Sequence, residues 1–502
     1  MLSNEQQEVV DELLKEENSI IKVEAVSGAG KTHLLTESVK ILKPENGMYL
    51  AYNKKIAEEA KMKFPALIKC STVHSMAYRT VVFGYGFKVG NIKVKDMIGG
   101  SSYSEKAEID SLLKGFCLSK YDSSEEFFAS LELENKPFTE VGKQGMKNTF
   151  QAMKDKKLDC SHDFYLKVFQ LLLSKKVISP DPVGIIMLDE AGDVNPVTLE
   201  IFKNLPSVKK MMVGDREQNI YSFNGTINGF IELKEGKAMK LSKSFRVGSD
   251  LARYIEPFMQ TYLNKDAVFT GVEYDSLEDD SVAYISRVNS TLVKKIIELL
   301  KNKTLFNLTK DPKNIFELPV ILSSVKRGYT IFSAEYSYLQ DDIREYFNNE
   351  ASYIREYSNV RKYILAKYSE EPEYQSAMSL LATHSAKDIY WAKDQLKNIK
   401  IGSSKHKITL TTAHSSKGLE YGTVFIMDDM NSTLSKIKED FPKEIPEALL
   451  EEFRIYYVAC TRAKTGLYNA NHLMGGYAIE QTLRKIEKTE KELIEEELKD
   501  KF

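Results

Sequence analysis

Residues 25–32 read AVSGAGKT and follow the β-prone run at 20–23. A turn of small residues that ends in Gly30-Lys31-Thr32, just before an apolar helical run, is suited to holding phosphates. Ser27, Gly28, Ala29 and Gly30 leave backbone N–H groups clear to point at phosphate oxygens, and the helix start adds partial positive charge. Lys31 would reach the outer phosphates, and the Thr32 hydroxyl would ligate Mg²⁺. The general pattern has glycine where this chain has Ala25. Kinases, switches, transporters and motors all use such a turn, so it defines a ligand class and leaves the task open.

Two further segments bear on that ligand. In IIMLDEAGD, residues 185–193, an apolar strand ends in two carboxylates. In a parallel sheet they would lie beside the phosphate loop, Asp189 holding Mg²⁺ and Glu190 polarising the attacking water. Asp-Glu pairs are common in a chain with 72 acidic residues, but one that follows a buried strand downstream of a phosphate loop reads as chemistry. In VGDREQNIYSF, residues 213–223, another strand end carries Asp215 and Gln218, with Tyr221 and Phe223 close behind. A glutamine there can sense hydrolysis of a γ-phosphate. The two rings can stack on single-stranded bases, although on residue type alone core packing is their commoner fate.

These segments must be carried by an alternating fold. Apolar runs at 20–23, 48–51 and 68–70 read as strands, with helical patterns after Lys31 and after Asn53, and further strands at 185–188 and 211–213. Between them, residues 82–180 are charged and mostly helical, too long for a loop. A second α/β pattern runs through 282–286, 408–411 and 424–427, interrupted by a Tyr-, Lys- and Glu-rich helical stretch at 305–400. Residues 477–502 carry mixed charge at helical spacing and read as a solvated helix or tail. The 502 residues, 42% hydrophobic, suffice for about three or four domains. A net charge of −2 gives no bulk signal for nucleic acid, so such a surface must come from local patches. Cys70, Cys117, Cys160 and Cys460 are scattered without a C-x-x-C pair, which argues against a disulfide framework or zinc site. With no signal-like or membrane-length apolar run, the expectation is a cytoplasmic chain without membrane partners.

Taken in order, the motifs resemble those of the UvrD/Rep/PcrA helicases of superfamily 1 and their phage and F-box-helicase relatives. LSNEQQEVV is similar to the family's Q motif, which implies that Gln6 reads adenine. AVSGAGKT matches the family's phosphate loop, itself beginning with alanine. AYNKKIAEEA and STVHSMAY resemble motifs Ia and Ib, and DEAGD and GDREQNIYSF resemble motifs II and III. KSFRVGSDLA, ISRVNS, TTAHSSKGLEY and EEFRIYYVACTRAK resemble the motifs that follow, ending with motif VI. The resemblance implies two RecA-like parallel-sheet lobes. Lobe 1A would comprise 1–81 and 181–245, with 82–180 as helical subdomain 1B. Lobe 2A would comprise 246–304 and 401–476, with 305–400 as subdomain 2B.

It further implies roles for single residues. Arg246 and Arg462 would act as arginine fingers presented by the second lobe, Phe245 would stack on adenine, and Glu420 would lie near the ribose. Asn53, Thr72, His74, Tyr221, Phe223, Thr412 and His414 would line a single-strand channel. Lys143, Lys147, Lys154, Lys156 and Lys157 could grip duplex phosphates, or equally form a solvated face. Two departures stand out: Asn224 where the family has arginine, and a segment LYNANHLMGGY shorter than the family's strand-separating hairpin. The implied activity is ATP- and Mg²⁺-dependent 3′-to-5′ movement on single-stranded DNA, by a monomer working at duplex junctions. A translocase that strips proteins from DNA and a nucleotide-switched DNA-binding module are the alternatives.

Overall fold

The computed structural model describes residues 1–17, 19–221, 225–274, 279–326, 362–364, 367–368, 371–402, 405–434, 445–470 and 472–474. They fall into two compact units, 1–242 and 243–502.

In the first unit, six strands pair in parallel: β1 (Ile20–Ala25), β2 (Gly47–Ala51), β3 (Ile68–Thr72), β4 (Val183–Leu188), β5 (Ser207–Gly214) and β6 (Lys237–Leu241), in the order β3-β2-β4-β5-β1-β6. The continuous apolar runs anticipate this, because a parallel sheet is covered on both faces. Ile185, Met187, Met211 and Val213 turn to one face, where Val9, Leu13, Leu34, Leu35 and Ala57 cover them. Ile186, Leu188 and Met212 turn to the other.

That second face is covered partly by the stretch at 82–180. It holds the helices Tyr103–Leu118, Ser124–Leu133, Glu140–Lys154 and His162–Ser174. Phe116, Phe164 and Phe169 from these helices share one apolar cluster with Leu50, Leu188 and Phe202. The helical stretch therefore packs into the core of the sheet unit rather than around a core of its own.

The second unit holds a five-stranded parallel sheet of β9 (Val282–Ser286), β10 (Phe306–Leu308), β11 (Ile408–Thr412), β12 (Tyr421–Ile426) and β13 (Ala463–Tyr468), in the order β10-β11-β9-β12-β13. A short pair, β7 (Lys243–Gly248) and β8 (Thr270–Val272), stands apart from it. Two expected boundaries move. The units divide between Ser242 and Lys243, so Phe245 belongs to the second unit, because β7 pairs with β8 and not with β6. Residues 306–308, expected inside an insertion, form an edge strand on β11. Helices Pro312–Lys326, Pro372–Thr383 and Ala386–Gln395 also share their apolar cluster with Leu292, Ile296 and Leu410. The described part of 305–400 is thus built onto the lobe's own core. Among the described residues, no helix is long and apolar enough to cross a membrane.

The order β4-β5-β1 sets three carboxyl-terminal strand ends side by side. Backbone packs on backbone there: a Cβ at Gly192 would stand 2.2 Å from the Asp215 carbonyl oxygen. Gly192→Ala must therefore push the turns after β4 and β5 apart. The expected cost is about 1–3 kcal/mol, read as a lower midpoint in denaturant unfolding. An unchanged midpoint would mean that the two turns are not held at this spacing.

Candidate functional site

The phosphate loop starts where β1 ends. Gly28 and Gly30 have φ of 77° and 74°, conformations in which a side chain is strained. Gly30 begins the helix Lys31–Leu42 without a side-chain cap, leaving its first N–H groups to other acceptors. Gln6 supports the loop from behind. The helix Asn4–Leu14 opens with a reciprocal cap: Gln6 N–H donates to Ser3 Oγ at 3.2 Å, and Ser3 N–H donates to Gln6 Oε1 at 3.1 Å. This leaves Gln6 Nε2 to donate to the Ala29 carbonyl at 3.1 Å. Gln6, expected at adenine, thus has a task in shaping the loop.

Facing the loop, Lys31 Nζ lies 3.1 Å from Glu190 Oε2. Burial alone would depress the lysine pKa, but Glu190, Asp189 and Asp215 outweigh it and hold the ammonium above its ordinary value. Asp189 is buried; burial and then the charge of Glu190 push its carboxyl up. Its oxygens accept from the Tyr49 hydroxyl and, at 2.9 Å, from the Glu190 N–H. Glu190 sits at φ 54°, sparsely populated for a residue with a side chain and frequent at reactive centres. Crowded carboxylates beside an uncapped helix start fit a phosphate-bound divalent cation, with Thr32 and Asp189 as the ligands this chain would offer. Gln218 is buried next to them, its Nε2 donating to Asp215 Oδ2 at 2.8 Å.

In the second unit, Arg246 Nε donates to Glu420 Oε2 at 2.9 Å. Lys464 reaches the other oxygen of Glu420 at 3.1 Å, and Asp279 at 2.9 Å. The Phe245 ring is half-exposed, with Lys243 Nζ 5.6 Å from its centroid. Arg462, the other expected finger, is 1% exposed. Its Nε donates to the Val458 carbonyl at 2.9 Å and its Nη1 to the Leu419 carbonyl at 3.3 Å. The end of the helix Glu447–Cys460 supplies carbonyls that lack helical donors, and the guanidinium fills that need.

The expected nucleic-acid residues gather in part. A cavity of about 300 Å³ in the first unit is lined by Tyr52, Thr72, His74, Asp189, Asp193 and Thr226, among others. Tyr221 stacks on Tyr52 with centroids 6.2 Å apart and planes at 20°. Tyr52 was not singled out from the sequence; an aromatic just before the helix cap Asn53 was the available signal. Asn53, Thr72 and Thr412 all act as caps, their side-chain oxygens accepting from the N–H of Ile56, Ser75 and Ser415 at 2.9, 3.0 and 3.3 Å. Thr72-Val73-His74-Ser75 after β3 and Thr412-Ala413-His414-Ser415 after β11 are the same device in two units. Burial lowers the His74 pKa, with His162 acting in the same sense and Asp163 opposing, so a neutral ring is favoured near neutral pH. Phe223 and Asn224 lie outside the described residues, as do 475–502.

Of the basic stretch, Lys143 lies over the Phe128 and Phe138 rings and near Glu140. Lys147 pairs with Glu125 at 2.8 Å, and Lys157 with Asp155 at 3.2 Å. Each of these three lysines thus has a partner within the protein. A larger cavity, about 560 Å³, lies in the second unit among Tyr284, Lys295, Phe425 and Asp429, and includes none of the nucleotide-binding candidates.

Comparison with known proteins decides the family. The sequence profile described as the UvrD-like helicase C-terminal domain matches residues 75–472. The chain belongs to the UvrD-like helicase family. It is 24% identical to F-box DNA helicase protein 1 of Schizosaccharomyces pombe over 529 aligned positions, covering 95% of this chain and 58% of that protein. It is also 24% identical to F-box DNA helicase 1 of Gallus gallus, covering 94% of this chain and 49% of that one. ATP-dependent DNA helicase Rep of Buchnera aphidicola is 29% identical over 222 residues, 38% of this chain. The chain spans about half the length of the two F-box helicases. Its two parallel α/β sheets agree with the RecA-like fold expected for this UvrD-like chain.

Arg462→Ala would take the guanidinium from the Leu419 carbonyl and leave Val458 only the Thr461 hydroxyl. The expected loss is about 1–3 kcal/mol for each buried group left short of a partner, measured by urea unfolding. Full stability in this variant would show that the guanidinium is not seated there in solution.

Proposed function

We propose that this chain is the motor region of an ATP-dependent DNA helicase that moves 3′ to 5′ on single-stranded DNA and separates duplex at a junction. The observation that carries this reading is the cluster at the ends of β1, β4 and β5, where Lys31 meets Glu190 beside an uncapped helix start. The family supports the DNA part, and its relatives are named as DNA helicases.

In this proposal Ser27, Gly28, Ala29 and Gly30 present N–H groups to the phosphates, and Lys31 leaves Glu190 for the outer phosphate. Mg²⁺, held by Thr32 and Asp189, would offset negative charge on the phosphate oxygens. Glu190, released from Lys31, would orient and deprotonate the attacking water. Gln218, now held by Asp215, would transmit the change at the γ-phosphate to the segment carrying Tyr221 and Phe223. Arg246 and Arg462 would neutralise the transferring phosphoryl group, while Gln6, Phe245 and Glu420 would meet the base and ribose. Asn53, Thr72, His74, Tyr221, Phe223, Thr412 and His414 would contact the strand. Residues 82–180 and 305–400 are proposed as the regions corresponding to subdomains 1B and 2B, and the working form as a monomer.

The test is ATP turnover with and without single-stranded DNA, alongside unwinding of 3′-tailed and 5′-tailed duplexes. Stimulated turnover and unwinding of the 3′-tailed substrate alone are expected. DNA-independent turnover would remove the motor, and preference for the 5′ tail would reverse the polarity. Within the site, Lys31→Ala should weaken nucleotide binding. Glu190→Gln should bind nucleotide yet lose turnover by a factor of roughly a thousand, the scale of a lost charge-stabilising group. Near-normal turnover in Glu190→Gln would assign the water to another residue.

A further inference from the structure

The consecutive residues Phe83, Gly84, Tyr85 and Gly86 are all exposed. Phe83 is 76% and Tyr85 43% accessible. Single exposed rings are ordinary, but two within three residues, separated by one glycine and followed by another, are a projecting pair. A Cβ at Gly84 would meet nothing nearer than the Arg79 carbonyl oxygen at 4.0 Å, so the space beside the rings is open. Phe87 N–H donates to the Val82 carbonyl at 3.0 Å and closes the tip, with Gly86 at φ 67°.

This tip is connected to the candidate DNA cavity. The helix Val73–Ala77 runs into one turn of π-helix, Tyr78–Phe83, an uncommon form that is frequent at functional sites. A chain of edge-to-face rings accompanies it: His74 to Tyr165 at 5.8 Å, Tyr165 to Tyr78 at 5.6 Å, and Tyr78 to Phe83 at 5.5 Å. His74 lines the cavity, and Phe83 ends the chain in solvent. A cation stands beside the tip. Lys156 Nζ lies 5.5 Å from the Phe87 centroid and makes no ion pair among the described residues. The hydrogen bonds Cys160 N–H to Lys88 carbonyl (2.8 Å) and Gly90 N–H to Cys160 carbonyl (3.1 Å) hold this lysine-bearing turn against the segment after the tip.

We propose that Phe83 and Tyr85, with Lys156, form a second single-strand contact, in which exposed rings stack on bases and the ammonium meets the backbone phosphate. Size favours DNA over a protein partner. A stable protein interface needs about 800 Å² from each side, whereas one ring face is matched to one base. Stacking of this kind tolerates any sequence and gains from a neighbouring cation. The inference rests on the DNA-motor reading and adds a site to it.

The test is a fluorescence-anisotropy titration of oligo-dT with the wild-type chain, Phe83→Ala, Phe83→Leu, Phe83→Trp and Lys156→Gln, each checked by thermal melting. Ala and Leu should each weaken binding roughly five- to hundredfold with an unchanged melting temperature and salt slope, while Trp stays near wild type. Lys156→Gln should lower the salt slope by about one phosphate contact. If the wild type binds and the Ala and Leu variants match it, this inference fails alone, and the rings are left to a protein partner. Leu binding like wild type while Ala weakens would also overturn stacking, since only apolar area would then matter. If the wild type does not bind oligo-dT, the DNA-motor reading fails and takes this site with it.

Discussion

Lys31 brings a positive charge to a place where burial alone would favour its neutral form, and Glu190, Asp189 and Asp215 keep it charged. That balance holds only if three loops from distant parts of the chain arrive together. The strand order β4-β5-β1 brings them side by side, and close packing of the turns after β4 and β5 fixes their spacing. The carboxylates in turn need the ammonium, because Asp189 is buried beside Glu190 and their mutual repulsion already pushes its proton affinity up. Neither sign of charge is comfortable there without the other. A phosphate with its cation is the type of ligand that can enter without upsetting the balance, since it supplies both signs at once.

Several side chains expected to touch ligand also hold backbone. Gln6 caps a helix and pins the Ala29 carbonyl, while Thr72 and Thr412 each start a short helix at a strand end. A substitution at any of them changes local structure and ligand contact together, and loss of activity alone would not separate the two. The repeated Thr-x-His-Ser device also gives physical content to the impression of two related lobes. In both units a parallel strand ends at a threonine whose hydroxyl turns the chain into the next helix, leaving the following histidine near the same sheet edge.

Much of the sheet architecture was legible because buried parallel strands are continuous apolar runs. Residues 185–188, 282–286 and 408–411 read as strands for that reason, and they pair as such. The strands that escaped notice lack the signal. In β6, KAMKL, only Leu241 is fully buried at the sheet edge; β10 has three residues; β13, AKTGLY, has Lys464 and Thr465 near its start. At the site, residues grouped within one motif could be read together, but partners brought in by topology could not. Tyr49 on Asp189 and Tyr52 on Tyr221 come from β2 and the residue just after it, whose own sequence says nothing of either contact. The lysines at 143 and 147 look basic in sequence. Lys143 has Glu140 one turn away on its own helix, a spacing visible in sequence, whereas Lys147 is answered by Glu125 from a different helix, which the sequence does not signal.

The two arginines singled out for the transferring phosphoryl group show how folding and chemistry can compete for one side chain. Arg246 shares Glu420 with Lys464, which also holds Asp279, so Glu420 keeps a cation if Arg246 turns to another anion. With Glu420 about half-exposed, such a pair is worth about 0–1 kcal/mol, so exchanging it costs little. Arg462 is different, because its donors are committed to carbonyls at the end of a helix and in the turn before β12. Reaching away would take this donor from the part-buried Leu419 carbonyl and leave Val458 only the Thr461 hydroxyl, at about 1–3 kcal/mol for a group left short of a partner. Of the two, Arg246 is the arginine whose partner would still hold a cation if its guanidinium turned away. Arg462 is held in place by both carbonyls and by the Thr461 hydroxyl, to which its Nη2 donates at 3.2 Å, so its side chain serves the fold from a fixed position.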